Sequence, residues 1–506
     1  MKILFINFNL GSTAGINNGI AVLSAVLKEK GHRVGLIFLC EELGYGFDLA
    51  RIKKDVLDFQ PDIIGISLVE PQLKYMARFC KDLRKYYKGF VVCGGPHPTM
   101  SPEDVLSVDG MDAVCVGEGE DAIAELAEKL KLAKDRTQIK NLWFKLDNGT
   151  VIKNRLRPFK KISDLPAEDK ELFGLDKIIR MKNYQLEVSL GRGCPYGCSY
   201  CINKPYLELY KKLCDGPTTP QDYIRIKNAD TVISEIKSVV LKHPKIRKIA
   251  FIDDDLLMYA GFVKDFFTKY RKEVVLPFMC NANPLSFDIH KGRFLKEAGC
   301  DDVRFGVESG SERIKKDIMN RPISNRRIKT AFKAAGELGL MASSFNMIGL
   351  PTETMEEVLE TLKLNAAIMP DTVKVMTFYP FGNTPIYDIC ARSGLIDYEK
   401  KRELDNYDTF TCLKFTPEHQ LFLKKVQVAF NWYINIFMRN ESSRHYLKAV
   451  KDIEAMDGKA WEKFDFDHAD KEISDRMKKI GAVHYFKFVN RSLAAKFPGR
   501  NIFATK

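Results

Sequence analysis

Residues 186–206 read LEVSLGRGCPYGCSYCINKPY. An apolar strand pattern runs into a loop with cysteines at 194, 198 and 201, spaced by three and then two residues. A 4Fe–4S cluster is usually held by four thiolates, so three closely spaced ones leave one iron open as a substrate site. Gly193 and Gly197 let the backbone wrap closely, and Pro195 stiffens the turn. Structural zinc is the alternative. Zinc modules, however, bring two CxxC or Cys/His pairs, whereas Cys214 stands alone and no His lies in the loop.

Strand and helix patterns alternate downstream. LEVSL is followed by an excursion over 202–228, a helix near 229–243, KIAFID, a helix from Gly261, VVLPFMC and a helix near 289–298. Then come DVRFGV, a helix pair across 311–338, MASSFNMIG, a helix from Thr354 and DTVKVMTF. Six such units predict a full or partial TIM-type β/α barrel over 184–395, with its chemistry at the C-terminal strand ends. Residues 396–506 read as a C-terminal helical subdomain, with aromatics in FNWYINIF and a basic tail, and carry no catalytic pattern.

Upstream, residues 1–130 alternate continuous apolar runs (KILFINF, RVGLIFL, DIIGISL, GFVVCGG, DAVCVG) with amphipathic helices. This predicts a doubly wound, Rossmann-like parallel sheet covered on both faces. Residues 131–183, with the Asp147-Asn148-Gly149 turn between the short strands NLWFKL and TVIKN and a Pro-bearing stretch, read as a linker. The whole is an α/β chain of two or three domains.

Bulk properties exclude more than they assign. The 506 residues are 45% hydrophobic and 29% charged, ordinary globular usage. The net charge of +13 is spread along amphipathic helices, as on a solvated surface, and no compact nucleic-acid motif is present. MKILFINFNL is too short and polar for a signal peptide or membrane span, and no later stretch reaches eighteen apolar residues. A soluble, cytoplasmic protein is expected, whose clustered cysteines mean metal or catalysis rather than disulfides.

The cysteine loop resembles the CxxxCxxC motif of the radical S-adenosylmethionine superfamily, including the aromatic Tyr200 before the third cysteine. The resemblance implies that Cys194, Cys198 and Cys201 hold the cluster and that its open iron chelates S-adenosylmethionine. Further strand-end segments resemble the same family. FIDDDLL places Asp253 and Asp254 where relatives carry FxDDxF, with Leu256 replacing the usual aromatic. RFGVESGSE puts Glu308 and Ser309 where family members contact the cofactor's ribose or methionyl part, and FNMIGLPTET puts Ile348 and Gly349 in the segment that packs on adenine. FYPFGNTPIYD resembles the turn after the barrel, and Asn283 stands where many relatives have Arg. Read without the family, strand-end acids cap helices and Gly-Leu-Pro makes a turn.

The first domain lacks GxGxxG after its first strand. Its strand ends carry Asn9 and Gly11, then Ser67 and Leu68, then Gly94-Gly95-Pro96-His97, then Gly117 and Glu118 in VGEGE. The series resembles the cobalamin-binding domain that precedes the barrel in cobalamin-dependent radical enzymes, small residues leaving a slot for the dimethylbenzimidazole tail. The DxHxxG motif of methionine-synthase-like members is absent: Asn7-Phe8-Asn9-Leu10-Gly11 occupies that region without His, and His97 takes a loop role.

Together the resemblances imply a radical enzyme with a 4Fe–4S cluster, S-adenosylmethionine and cobalamin, methylating an unactivated carbon or a phosphinate phosphorus of a small molecule or natural product. A reducing partner such as flavodoxin or ferredoxin is implied, with no specific nucleic acid. Alternatives are a cyclase, oxidase or rearrangement enzyme with the same cofactors, an RNA methylthiotransferase and a non-enzymatic corrinoid carrier. The methylthiotransferase needs a second cluster from N-terminal cysteines, but Cys40, Cys80, Cys93 and Cys115 sit in apolar patterns as core thiols.

Overall fold

Seven of the strands form one sheet in the computed structural model, which describes residues 1–405 and 410–490. In chain order they are β1 (Lys2–Phe8), β2 (Arg33–Leu39), β3 (Ile63–Ser67), β4 (Phe90–Gly94), β5 (Ala113–Cys115), β6 (Leu142–Lys145) and β7 (Val151–Lys153). Their spatial order is β2-β1-β3-β4-β5-β6-β7, with β1 to β5 parallel. β1 is buried at every position after Lys2, which is why its sequence reads as a continuous apolar run. The chain reverses direction across the sheet between β1 and β3, where a doubly wound fold opens a crevice beyond its strand ends.

β6 and β7 come from the segment read above as a linker. They add an antiparallel hairpin to β5, with Ala113 opposite Phe144, and Trp143 and Phe144 are buried. The physical reason is the edge: β5 would otherwise end the sheet with unpaired backbone groups. The two short strands were expected about this turn, but their sequence does not say which sheet they join.

The second sheet starts with β8 (Gln185–Val188). A two-strand clasp follows, β9 (Gly191–Arg192) against β10 (Arg225–Ile226), antiparallel. Then come β11 (Lys248–Phe251), β12 (Phe278–Ala282), β13 (Cys300–Glu308), β14 (Met341–Ile348) and β15 (Thr372–Thr377). β8 and β11 to β15 pair in parallel in that order, so the six expected strands are present. The barrel is partial: β8 ends the sheet on one side, while on the other β15 pairs with β17 (Val489–Asn490), itself paired with β16 (Tyr485–Phe486). That C-terminal hairpin closes an edge in a region read as purely helical.

An aromatic cluster under β11 and β12, built from Phe251, Phe266, Phe267, Tyr270 and Phe278, is fully buried. At roughly 1.5–3 kcal/mol per buried side chain, it makes this side of the barrel a rigid base. The helix Pro417–Phe437 packs Val426, Phe430 and Trp432 with Val358 and Leu362 of the helix Met355–Ile368, covering β14 and β15. No described helix is long and apolar enough to cross a membrane. The basic tail from 491 lies outside the described residues.

Candidate functional site

The cysteine loop is set by backbone constraints on both sides. Before it, the buried Asp253 carboxylate accepts N–H bonds from Leu190 (3.0 Å) and Gly191 (2.8 Å), tying β8 to the end of β11. Burial pushes the Asp253 carboxyl up to about 6, against those backbone bonds. A Cβ at Gly191 would stand 2.4 Å from the Tyr259 hydroxyl oxygen and 2.5 Å from the Arg225 carbonyl. Gly193 has φ +91° and would place a Cβ 2.4 Å from the Tyr223 carbonyl. Only glycine fits either position.

Beyond Cys194 the loop leans on the end of β13's connection. The Ser199 N–H donates to the Met319 carbonyl (2.9 Å) and its hydroxyl to that of Ile318 (2.5 Å), while Asn320 Nδ2 donates to the Gly197 carbonyl (2.7 Å). Residues 314–318 form a π-helical turn, an irregularity frequent at functional sites. The Tyr196 hydroxyl donates to Asp255 (2.9 Å), which also accepts from the Ser286 hydroxyl (2.9 Å) and the Leu257 N–H (3.1 Å). Asp255 thus does the capping and bracing, leaving Asp254 exposed at the mouth.

All three cysteines are free thiols, Cys198 buried and the others half-buried. Burial pushes the Cys194 thiol up to about 12 and raises that of Cys201, so holding these two as thiolates requires positive charge from what they ligate. Among the described residues no three His, Cys, Asp or Glu side chains gather closely enough for a single metal ion. A cluster, whose thiolates each bind a different iron, has no such requirement. Two sulfurs already receive side-chain donors: Asn203 Nδ2 to Cys201 Sγ at 3.2 Å and Arg321 Nη1 to Cys198 Sγ at 3.7 Å.

Half-buried Tyr200 and Glu308 group with buried Arg321 beside Cys198. The Glu308 carboxyl is pushed up by burial, opposed by the Arg321 charge and a hydrogen bond with Tyr200. Glu308 also has φ +64°, a strained backbone of about 1–3 kcal/mol that persists only where surroundings enforce it. Ser309, by contrast, is fully buried, accepts from the Ser311 N–H (3.2 Å) and does not face the mouth. Ile348 packs into the core beneath the C-terminal helices. Gly349 (φ +74°) makes the turn expected of it, its N–H donating to buried Glu353 at 2.6 Å. Asn283 caps its own turn by accepting from the Leu285 N–H (3.0 Å).

A cavity of about 690 Å³ lies between the strand ends of the first sheet and the loop before the cysteines. Asn9, Ser67, Gly94, Gly95, Gly117 and Glu118 line it on one side, and Ser189, Gly191, Arg192, Ile202 and Tyr206 on the other. Its apolar end passes Ile20, Leu23, Val92, Ile123 and Leu142, between the sheet and the helices Asn18–Glu29 and Glu120–Lys131. Gly11 and Leu68 do not line it: Gly11 turns at the surface with its N–H on Glu41 (3.1 Å), and Leu68 is a core residue. His97 is also buried outside the lining.

Glu118 is committed to charge pairing. Arg225 donates to both its oxygens (2.7 and 2.9 Å), and Arg192 bridges it (2.9 Å) to Glu120 (2.6 Å). Burial alone would raise the Glu118 carboxyl, but the Arg225 hydrogen bonds and both guanidinium charges outweigh it and hold the carboxyl low. The four side chains join the first domain to the cysteine loop. No sequence spacing revealed this, nor Gln72, whose Nε2 donates to the Leu10 and Asp405 carbonyls (3.0 and 2.9 Å) while its buried Oε1, at the cavity, has no partner.

The Radical SAM superfamily profile matches residues 188–364 and the B12 binding domain profile residues 12–127. The chain is a radical S-adenosylmethionine enzyme with an N-terminal B12-binding domain. An uncharacterized methyltransferase of Pyrococcus horikoshii is 27% identical over 86% of this chain and 91% of its own. The anaerobic magnesium-protoporphyrin IX monomethyl ester cyclase of Cereibacter sphaeroides is 23% identical over 79% of this chain, but only 65% of that enzyme is spanned. In fold, the chain resembles the cobalamin-dependent S-adenosylmethionine radical enzyme OxsB, solved with aqua-cobalamin and S-adenosylmethionine bound (TM-score 0.66, 16% identity, 96% of this chain and 76% of that one).

Membership brings the cofactors: a 4Fe–4S cluster, S-adenosylmethionine and cobalamin. The residues present fit them. Three free thiols share one loop, Gln72, whose buried amide oxygen has no partner among the described residues, is one of the residues lining the cavity, and the apolar end suits the aromatic tail of a corrin.

Proposed function

We propose that the enzyme transfers a methyl group to an unactivated carbon, or a phosphinate phosphorus, of a small molecule or natural product. The observation that supports it is the shared cavity: Ser67, Gly94 and Gly117 of the B12-binding domain face Gly191 and Arg192, two residues from Cys194, across one space. When bound, the cluster and cobalamin supply the electron that splits S-adenosylmethionine into methionine and a 5′-deoxyadenosyl radical, and the methyl that a substrate radical accepts.

The chain's own residues do the rest. Cys194, Cys198 and Cys201 would hold the cluster and leave one iron open to bind S-adenosylmethionine. Asp254, exposed at the β11 end, and Glu308, at the β13 end, would bound the space for that cofactor's polar groups, and the turn at Gly349 after β14 would lie against its adenine. Asn9, Gly94, Gly95 and Gly117 line the side of the cavity where the corrin would lie, and no His stands at the strand-end position that would ligate cobalt. The walls of the cleft exclude water from reactive species. A small acidic reductase such as flavodoxin or ferredoxin matches the net charge of +13.

A second reading, cyclisation with the same cofactors, is favoured only by the similarity to the cyclase. The methylthiotransferase reading lacks its ligands, since Cys40, Cys80, Cys93 and Cys115 are all buried core thiols. The deciding test incubates the anaerobically reconstituted enzyme with methyl-labelled S-adenosylmethionine and candidate substrates. Label in a product supports methyl transfer, and an unlabelled rearranged product overturns it.

A further inference from the structure

Asn203 lies just beyond the last cysteine, on the helix Asn203–Leu213, and is held from three directions. Its Nδ2 donates to Cys201 Sγ (3.2 Å) and to the Asp254 carboxylate (2.9 Å), while its Oδ1 accepts from the Tyr223 hydroxyl. The amide orientation is fixed by chemistry: an ionised carboxylate only accepts, so the group between Asp254 and Cys201 must be the NH₂ end. Tyr223, in turn, is buried under the Phe159 and Tyr206 rings (centroids 5.4 and 5.8 Å). On the opposite side Arg321 reaches Cys198 Sγ, its Nη2 anchored on the Gly306 carbonyl (2.9 Å). Cys194 receives no comparable side-chain donor among the described residues.

We propose that Asn203, oriented by Asp254 and Tyr223, is a positioning residue that sets the reduction potential of the cluster through its hydrogen bond to the Cys201 sulfur, with Arg321 acting likewise on Cys198. The inference rests on the cluster reading above. Reduction adds negative charge to a cluster and its thiolates, and a donor on a ligand sulfur stabilises the reduced form more than the oxidised one, raising the potential. Asn203 is half-buried and held by second partners, Tyr223 buried and Asp254 at the mouth, so the donor is aimed before any electron arrives. Asp254, whose sequence reading was direct contact with S-adenosylmethionine, thereby acquires a role through Asn203.

The test reconstitutes the full-length wild type and the Asn203→Ala, Tyr223→Phe and Arg321→Met variants anaerobically. Iron and sulfide are counted, and the reduced cluster is titrated by electron paramagnetic resonance. Asn203→Ala is expected to keep four irons yet shift the reduced-to-oxidised ratio at fixed potential at least tenfold toward oxidised, 59 mV for a one-electron couple. Tyr223→Phe, which leaves Asn203 in place but frees its amide, shifts it in the same direction by less. Four irons with an unmoved titration in both variants overturns the inference. If Asn203→Ala fails to take up iron, Tyr223→Phe decides by the same criterion. A wild type that takes up no four-iron cluster overturns the proposed function and this inference with it.

Discussion

The two faces of the cleft are built on opposite principles. Behind the barrel side lie charged groups: Asp253, Asp255 and Arg321, buried, and Glu308, half-buried, sit among the strand ends around the cysteine loop, each oriented by named partners. The face of the B12-binding domain is neutral, made of Asn7, Asn9, Asn17, Ser67, Gln72 and glycines. Its two carboxylates, Glu118 and Glu120, are cancelled by arginines from the barrel. A face that aims charges at atoms suits a small zwitterionic cofactor and an iron cluster. A face that offers shape and amide groups suits a large ligand carrying its own carboxamides.

That contrast can be broken in order of effect. Cys194→Ala should abolish 5′-deoxyadenosine formation while hydroxocobalamin still binds, measured by product assay and corrin absorbance; joint loss of both would mean that the faces are not separable. Glu118→Gln should come next, because it leaves Arg192 and Arg225 without their shared counter-charge. Breaking a buried pair from one side costs about 3–5 kcal/mol, to be read in denaturant unfolding of the unreconstituted chain.

Asp253 gives the third test. Its folded-state carboxyl, at about 6, lies above the ordinary value of 3.8, so the folded protein holds that proton more tightly than the unfolded chain. Its contribution to stability is therefore present below about pH 4 and lost as pH rises through 6, by about 3 kcal/mol at about 1.4 kcal/mol per pH unit. Asp253→Asn should lack this fall, so the wild-type minus variant stability should decline from pH 4 to 6 in unfolding titrations. A flat difference would show the carboxylate to be solvated.

The last two act on the neutral face. A Cβ at Gly94 meets only Cys115 Cβ, at an ordinary 3.5 Å, so the fold tolerates a side chain there. The cavity does not, and Gly94→Leu should weaken hydroxocobalamin binding by about 10–100-fold, the equivalent of 1–3 kcal/mol of overpacking, with cluster iron unchanged. Gln72→Leu, which removes the unpartnered acceptor, should weaken it about tenfold, one hydrogen bond's worth. Equal affinity in an equilibrium titration would take Gln72 out of the corrin site.

The same contrast explains what could be read from the chain. The three cysteines lie within eight residues, so one loop names its chemistry, and the long apolar runs of β1 to β5 and the six barrel strands are legible for the same local reason. Asn203, Asp255, Arg321 and Gln72 carry no spacing pattern; folding brings them in from separate elements. Ser309, Ile348 and Leu68 are buried in the core beside Glu308, Gly349 and Ser67, because alternation along a strand or turn sends neighbours to opposite sides. The two short strands about the Asp147-Asn148-Gly149 turn were legible, but not their pairing with β5, and the β16–β17 hairpin was missed, because each pairing is defined by the edge it covers.

The central claim is that one cleft serves both cofactor systems at once. It is tested most directly by anaerobic reconstitution with iron, sulfide and hydroxocobalamin, then counting iron and corrin per chain and assaying 5′-deoxyadenosine. The account predicts a four-iron cluster and one corrin bound to the same chain, with S-adenosylmethionine cleaved on reduction. A cluster that cleaves S-adenosylmethionine in a chain that takes up no corrin would contradict it.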